Sequence, residues 1–361
     1  MNSYAKRELE LGPLLASQEA DGTLSSFYDA AAQLIGAQSD EIVWCTSATS
    51  GWQMSLGTLS LAYGDRVVCH ASEYASNLLA LLQLAEKLGV SVDFAPSTID
   101  GSIDVDRLPE CIHKGRTKAI FVCHVPTQGG CVAKIEQIGT IAKNAGIHLV
   151  VDAAQSVGQL DLNVAKIGCS FLSTAGRKFL RGPRGTGILY VSRDAQHELA
   201  PQFSDIFSLQ ALSNDSYQVK GGRDRFELFE SSASGRIGLT TAINCALTIG
   251  IAKIEARTTL LAERLRNGLS CIRGIRIHEV GNQRGALVTC SFEQWPVEQV
   301  DRELRRNGVE AYVITKINSP LSFEERRLPG SLMRFSPHYF NTEEEIDTVL
   351  ERIETMLGSM R

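Results

Sequence analysis

Short apolar stretches alternate with amphipathic helical patterns through the first 250 residues of the chain. Seven of these stretches have the length and composition of β-strands that are buried on both faces of a sheet. They span residues 42–45, 66–69, 90–94, 119–123, 148–151, 171–173 and 187–191. Between them, residues 77–88 carry apolar side chains at helical spacing up to Gly89, and residues 135–144 do the same up to Gly146. The alternation predicts an α/β fold with a mainly parallel seven-stranded sheet, whose ligands bind at the carboxyl ends of the strands.

The pattern changes after about residue 250. A long helical pattern covers residues 252–268, and we predict strands at 287–292, 309–314 and 332–336 with helices at 297–307 and 342–357. The chain is therefore expected to form two domains. The large domain covers residues 1–250 and includes an N-terminal helical segment, and a small C-terminal α+β domain covers residues 251–361.

Composition narrows the class of protein. The chain has 361 residues, 43% of them apolar, with a formal net charge of -5, so we expect neither nucleic acid nor a membrane as a partner. The N-terminus lacks the apolar core of a signal peptide, and no stretch approaches ~18 uninterrupted apolar residues, so we expect a cytoplasmic protein. The nine cysteines are scattered and form no C-x-x-C pair. This usage favours reduced thiols over disulfides or a metal site.

Two segments about 25 residues apart carry the clearest chemical signal. Residues 150–155 end an apolar strand in Asp152, and residues 173–183 set Lys178 in a glycine-flanked turn. An aldehyde cofactor needs both groups, because a lysine amine forms a Schiff base while an acid keeps the pyridine nitrogen protonated. The pair predicts a pyridoxal phosphate site. Simpler interpretations are that Asp152 caps the following helix and that Lys178 is a solvated surface residue.

Residues beside these segments have matching chemistry. Ala48 and Thr49 lie where a helix begins, and free N–H groups at a helix start bind phosphate, although hydroxyl residues there are also ordinary caps. Tyr74 could stack on a planar ring or pack on the core. Gln155 could donate to the phenolic oxygen of the cofactor, and Arg177 could balance the phosphate charge.

Two further residues are candidates for the pocket. Arg334 could grip the carboxylate of an α-amino acid with two parallel hydrogen bonds, or it could form an ion pair between domains. Thr127 is a candidate for the cofactor pocket. Gln128 and residues 203–225 could also line it, but they carry no decisive chemical signature.

The sequence resembles the class V aminotransferase family, pyridoxal phosphate enzymes of fold type I, over about residues 8–360. The likeness rests on residues 152–158, 176–187 and 334–345. It implies a Schiff base at Lys178, a pyridine-nitrogen partner in Asp152 and a phenolic-oxygen partner in Gln155. Family members are typically homodimers with the active site near the subunit interface, and the resemblance implies a small-molecule amino-acid substrate.

The resemblance implies roles for three more residues. Tyr74 takes a ring-stacking position that is often held by histidine. Thr49 and the adjoining backbone hold the phosphate, and Arg334 binds the substrate carboxylate.

Three departures from the family pattern narrow the expected reaction. Cysteine desulfurases carry a nucleophilic cysteine on a loop before the substrate arginine, whereas residues 312–323 contain none and the last cysteine is Cys290. Glu230 stands where relatives often place a residue that reaches the phosphate of the neighbouring subunit, which a carboxylate does not favour. The chain opens on a helix at residues 6–12, so we expect either a more open pocket or a start codon further upstream.

The subgroup with the most similar motifs comprises carbon–sulfur lyases of the ergothioneine type and isopenicillin-epimerase-like proteins. The leading hypothesis is β-elimination from a cysteine conjugate or its sulfoxide, in which Lys178 removes the Cα proton and the products are pyruvate and ammonia. The alternatives are an aminotransferase and an epimerase, which would need a second acid such as Tyr74 or His124. A non-catalytic protein that retains the fold is a further alternative.

Overall fold

A twisted sheet of seven strands forms the centre of the protein in the computed structural model, which describes residues 1–279 and 281–359. The strand order is β1-β7-β6-β5-β4-β2-β3. The strands are β1 (Ile42–Cys45), β2 (Arg66–Cys69), β3 (Ser91–Phe94), β4 (Thr117–Cys123), β5 (His148–Asp152), β6 (Phe171–Ala175) and β7 (Gly187–Val191). Strand β7 runs antiparallel to both neighbours, and the other pairs are parallel. The predicted mainly parallel seven-stranded sheet is confirmed.

Helices cover both faces of this sheet. They are α1 (Asn2–Leu11), α2 (Pro13–Glu19), α3 (Asp21–Ile35), α4 (Ala48–Thr58), α5 (Ala75–Leu88), α6 (Ile135–Ala145), α7 (Val164–Ile167), α8 (Arg193–Glu198) and α9 (Ala233–Ile249). One buried cluster joins α4 and α5 to alternate strand positions such as Val43 and Phe121, and the other joins α3, α6 and α9 to positions such as Trp44 and Ile120. The strands read as continuous apolar runs because successive side chains enter different cores.

A second, antiparallel sheet of four strands follows α9 in the chain. A two-stranded hairpin of β8 (Leu209–Leu212) and β9 (Tyr217–Val219) comes before α9, and the second sheet has the order β10-β11-β13-β12. Its strands are β10 (Ile275–Ile277), β11 (Val288–Phe292), β12 (Tyr312–Thr315) and β13 (Ser331–Phe335), and its helices are α10 (Ile251–Cys271), α11 (Val297–Arg306), α12 (Pro320–Glu325) and α13 (Glu343–Ser359). One buried cluster continues from α9 into α10 and β11, so the domain boundary at residue 250 stays a prediction.

The structure differs from the predicted elements where turn chemistry prevails over the apolar pattern. Strand β12 begins at Tyr312 rather than at residue 309, because Gly308 has a φ of 75° and Arg305 Nη2 donates to the carbonyl of Ala311. Helix α9 was not predicted, since glycine and threonine recur along it and weaken its helical signal.

Among the described residues, no single helix is long and apolar enough to cross a membrane. One pair there, α9 and α10, bent by 81° where they meet, reaches the required length and composition together.

Packing of α6 on α7 generates a prediction about stability. A Cβ atom added to Gly139 would lie 1.7 Å from the backbone carbonyl oxygen of Ile167, which a rigid interior cannot accommodate. We expect Gly139→Ala to lower the free energy of unfolding by about 2 kcal/mol or more, measured by denaturant titration. Gly22→Ala is the matched control, because Gly22 lies in α3 with no atom within 4 Å of its added Cβ. A Gly139→Ala protein as stable as the control would contradict this packing.

Candidate active site

A cavity of about 120 Å³ lies at the carboxyl ends of β1, β4, β5 and β6. Eight of the residues predicted from the sequence line it together, namely Ala48, Thr49, Tyr74, Thr127, Asp152, Gln155, Arg177 and Lys178. They come from five separate segments of the chain. Parallel strands bring such segments together, because their carboxyl ends meet at one edge of the sheet.

Asp152 is the last residue of β5, and its side chain is only 6% exposed. One carboxylate oxygen accepts the backbone N–H of Ala154 at 2.9 Å. This contact lies in a turn, and the next helix after β5 is α7, which begins at Val164, so Asp152 is not the helix cap of the simpler interpretation. The other oxygen accepts Asn77 Nδ2 of α5 at 2.8 Å. A buried carboxylate needs such donors or a cation. These two bonds fix the direction of Asp152 at the wall of the cavity.

Lys178 lies in the turn between β6 and β7. Glycine is required in this turn: a Cβ atom on Gly176 would lie 2.2 Å from Thr186 Oγ1, and one on Gly182 would lie 2.9 Å from the Gly176 carbonyl oxygen. Burial lowers the pKa of the Lys178 amine, although the nearby Asp152 carboxylate acts in the opposite direction. A lowered pKa increases the fraction of the neutral amine, which is the nucleophilic and basic form. Lys178 is therefore half-buried in the cavity wall rather than a solvated surface residue.

The segment after β13 anchors the lysine turn. His338 Nε2 donates to the carbonyl of Phe179 at 3.1 Å, and the two rings stack with their centroids 5.4 Å apart. This contact joins the turn that carries Lys178 to the second sheet.

The N-terminus of α4 provides an anion-binding corner. Ser47 is the N-cap, and its hydroxyl accepts the N–H of Ser50 at 3.0 Å, while Ser50 Oγ accepts the N–H of Ser47 at the same distance. The cap function belongs to Ser47, so Thr49 is not the capping residue. The first N–H groups of a helix have no intrahelical acceptor, and the helix dipole adds positive potential there. Arg177 lines the same cavity, so the corner suits a phosphate group.

Tyr74 immediately precedes α5 and is 37% exposed while lining the cavity. It does not pack in the core, which was the alternative interpretation. Gln155 Nε2 donates to Thr127 Oγ1 at 3.4 Å, so both side chains share one wall of the cavity.

Arg334 extends from β13 to this wall. Its Nη1 donates to Thr127 Oγ1, and its guanidinium lies 4.8 Å from the centre of the Tyr312 ring. Burial lowers the pKa of Arg334 to about 10. Among the described residues, Arg334 has no carboxylate partner and its Nε has no hydrogen-bond acceptor. The alternative interpretation, an ion pair between domains, is not seen among the described residues, and a largely buried guanidinium without a counterion there suits an anionic ligand.

The sequence did not identify three polar residues around Asp152. Glu73, Asn77 and Cys123 are buried beside Asp152. The pKa of Glu73 is raised to about 8, first by burial and then by the charge of Asp152. The pKa of the Cys123 thiol is raised well above its usual value, again mainly by burial. The only available signal was the four-residue spacing of Glu73 and Asn77 at the start of a helix.

His124, considered as a second acid, does not line this cavity. Its ring is buried and faces a separate cavity beside Lys134 and Glu255. Burial lowers the pKa of His124 to about 3, which also leaves it unprotonated at neutral pH.

The cavity combines an amine of lowered pKa, a buried carboxylate and an anion-binding helix start. An aldehyde that carries both a phosphate and a basic ring nitrogen meets all three groups. The donor set therefore fits pyridoxal phosphate, the cofactor predicted from the sequence.

The proteins that this chain is similar to agree with the family resemblance found in the sequence. The aminotransferase class-V family matches residues 15–349 of the chain. A probable cysteine desulfurase of Methanothermobacter thermautotrophicus is 30% identical over 334 residues, which cover 91% of this chain and 82% of that protein. A probable cysteine desulfurase of Pyrococcus abyssi is 29% identical over the same coverage of both chains.

Solved structures share the fold over nearly the whole chain. The apo cysteine desulfurase of Thermococcus onnurineus NA1 superposes with a TM-score of 0.89 at 26% identity, covering 95% of this chain and 86% of the other. A cystine C–S lyase in complex with cysteine persulfide gives a TM-score of 0.86 at 20% identity, covering 98% and 92%. The latter likeness concerns the fold alone. The chain belongs to the aminotransferase class-V family and is a pyridoxal-phosphate-dependent enzyme.

Proposed function

We propose that this enzyme is a carbon–sulfur lyase that eliminates the sulfur group from a cysteine conjugate or its sulfoxide. The observation that carries the proposal is the state of the thiols. Within the described residues, Cys123 is the only cysteine that lines the cavity, and the raised pKa of its thiol keeps it protonated. A thiol in that state is a poor nucleophile.

The state of the thiols bears on the reaction because several relatives are named cysteine desulfurases. Transfer of sulfur to the enzyme requires a thiolate that can reach the substrate sulfur. The segment between β12 and β13 contains no cysteine, and the last cysteine of the chain, Cys290, is buried within β11. These positions support elimination of the sulfur group into solution rather than its capture by the protein.

The proposed mechanism begins with binding of the substrate carboxylate by Arg334, since its guanidinium has no carboxylate partner among the described residues. With the cofactor bound, Tyr74 would stack on its ring, Gln155 would donate to its phenolic oxygen, and the α4 N-terminus with Arg177 would hold its phosphate. When bound, pyridoxal phosphate supplies an aldehyde for the substrate amine and a ring that withdraws electrons from Cα. These contacts align the Cα–H bond with the catalytic base.

Proton transfer at Cα is assigned to Lys178. Its lowered pKa makes the neutral amine available as a general base. With the cofactor bound, Asp152 would keep the ring nitrogen protonated, so that the ring could accept electrons from Cα. The Cβ–S bond then breaks with its electron pair on sulfur, and addition of water to the remaining three-carbon fragment yields pyruvate and ammonia.

We further propose that the enzyme is a homodimer. Phe203, Ile206, Leu228 and Phe229 are exposed, and Asp205 joins the two segments that carry them by accepting the N–H of Phe229 at 2.9 Å. A cluster of exposed apolar side chains of this kind is typical of an interface between subunits. The expectation that Glu230 does not favour a contact with the phosphate of a neighbouring subunit stays a prediction.

Removal of Lys178 tests the placement of the cofactor. We expect Lys178→Ala to lose the visible absorption band of the holoenzyme and its sensitivity to borohydride, because the covalent partner of the aldehyde is gone. Absorption spectroscopy of purified protein measures this. Lys166→Ala, at an exposed lysine of α7, is the matched control and keeps the band. An unchanged band in Lys178→Ala would place the covalent bond on another lysine.

A panel of cysteine S-conjugates, cysteine and common amino acids tests the reaction. We expect pyruvate and ammonia to form from S-conjugates without a keto-acid acceptor. Formation of alanine from cysteine would indicate desulfuration, exchange with keto acids would indicate an aminotransferase, and loss of optical activity alone would indicate an epimerase. Each of these three results would contradict the proposal.

The role of Arg334 is tested with the same substrates. Arg334→Ala removes a charge-assisted pair of hydrogen bonds to the substrate carboxylate, so kcat/KM should fall about 100-fold. Steady-state kinetics of pyruvate release measure the change, and Arg302→Ala, at an exposed arginine of α11, is the control. Equal kcat/KM values for the two variants would rule out Arg334 as the carboxylate-binding residue.

A further inference from the structure

Glu73 lies directly behind Asp152, and a single amide group joins the two carboxyl groups. Asn77 Nδ2 donates to Glu73 Oε1 at 2.9 Å and to Asp152 Oδ2 at 2.8 Å. Glu73 Oε1 also accepts the N–H of Tyr74 at 3.0 Å. The side chain of Asn77 is therefore fixed from one side by Glu73 and directs its other proton to Asp152.

The surroundings of Glu73 disfavour a negative charge. Glu73 is 1% exposed, and its Oε2 has no hydrogen-bond partner among the described residues. Among the described residues, the ionisable groups that interact with it most strongly are Cys69 from β2, Cys123 from β4 and Asp152 from β5. None of these is a cation. Ionising a second buried carboxyl group beside Asp152 is costly, and burial together with the charge of Asp152 raises the pKa of Glu73 to about 8.

We propose that Glu73 is a positioning residue that remains a neutral carboxylic acid and, through Asn77, holds Asp152 as the single negative charge facing the ring nitrogen of the cofactor. The inference rests on the proposed placement of that nitrogen beside Asp152. It concerns cofactor binding, so it is independent of which bond the enzyme breaks in its substrate.

The proposal makes the charge behind the ring dependent on pH. In neutral solution Asp152 is the only anion of the pair, whereas alkaline solution removes the proton from Glu73 and adds a second negative charge. That charge attracts the positively charged ring nitrogen. A glutamine at position 73 keeps the acceptor for Asn77 and Tyr74 but never acquires the charge.

The test compares pyridoxal phosphate affinity of the full-length protein with that of Glu73→Gln, by fluorescence titration at about pH 6.5 and about pH 9.5. At the lower pH the two Kd values should agree within about twofold, because both side chains are neutral. At the higher pH the wild-type protein should bind about fivefold or more tightly than the variant, because only its side chain is ionised. Glu86→Gln, at an exposed position on α5, is the control for the change of charge, and its Kd should match that of the wild-type protein at both pH values.

A second variant protects the test against a folding defect in the first. Glu73→Met removes both the charge and the acceptor for Asn77, so it should weaken binding at both pH values by loosening Asp152. Relative to Glu73→Met, the wild-type protein should still gain about fivefold in affinity between the two pH values. A ratio of affinities that is the same at both pH values, or one that changes in the opposite direction, would overturn the proposal. Failure of the lyase assay would leave this measurement interpretable.

Discussion

The burial of Asp152 at the end of β5 is the constraint on which the site depends. A carboxylate in that position must be compensated, and it accepts hydrogen bonds from Asn77 and the backbone of Ala154. The Lys178 amine adds a nearby positive group, and it is held in a turn where positions 176 and 182 require glycine. The cofactor ring nitrogen completes this arrangement in the proposed complex.

The cavity separates charges by position. The buried carboxyl groups lie at the end of β5 and just before α5, whereas Arg177, the α4 N-terminus and Arg334, through its contact with Thr127, belong to other walls of the cavity. A ligand with a cationic ring and two anionic ends matches that distribution. The absence of a carboxylate beside Arg334, within the part of the chain that the structure describes, leaves one of these walls for the substrate.

The sequence predicted the parts of the site that have local signals. Asp152 follows an apolar strand, Lys178 lies among glycines, and Thr49 begins a helix, so each could be found without knowledge of the fold. The motifs of the family connected them with Arg334. Because β4 lies between β2 and β5 only in the folded sheet, the contacts of Glu73 and Cys123 with Asp152 could not be predicted. The start of β12 and helix α9 were missed for a different reason, since a turn and scattered glycines weakened their local patterns.

The central claim is that Lys178 holds the cofactor opposite Asp152, and peptide mapping of borohydride-reduced holoenzyme by mass spectrometry tests it most directly. The account predicts that the added mass of the reduced cofactor lies on Lys178, in the peptide between Arg177 and Arg181. Attachment of that mass to any other lysine would contradict the account.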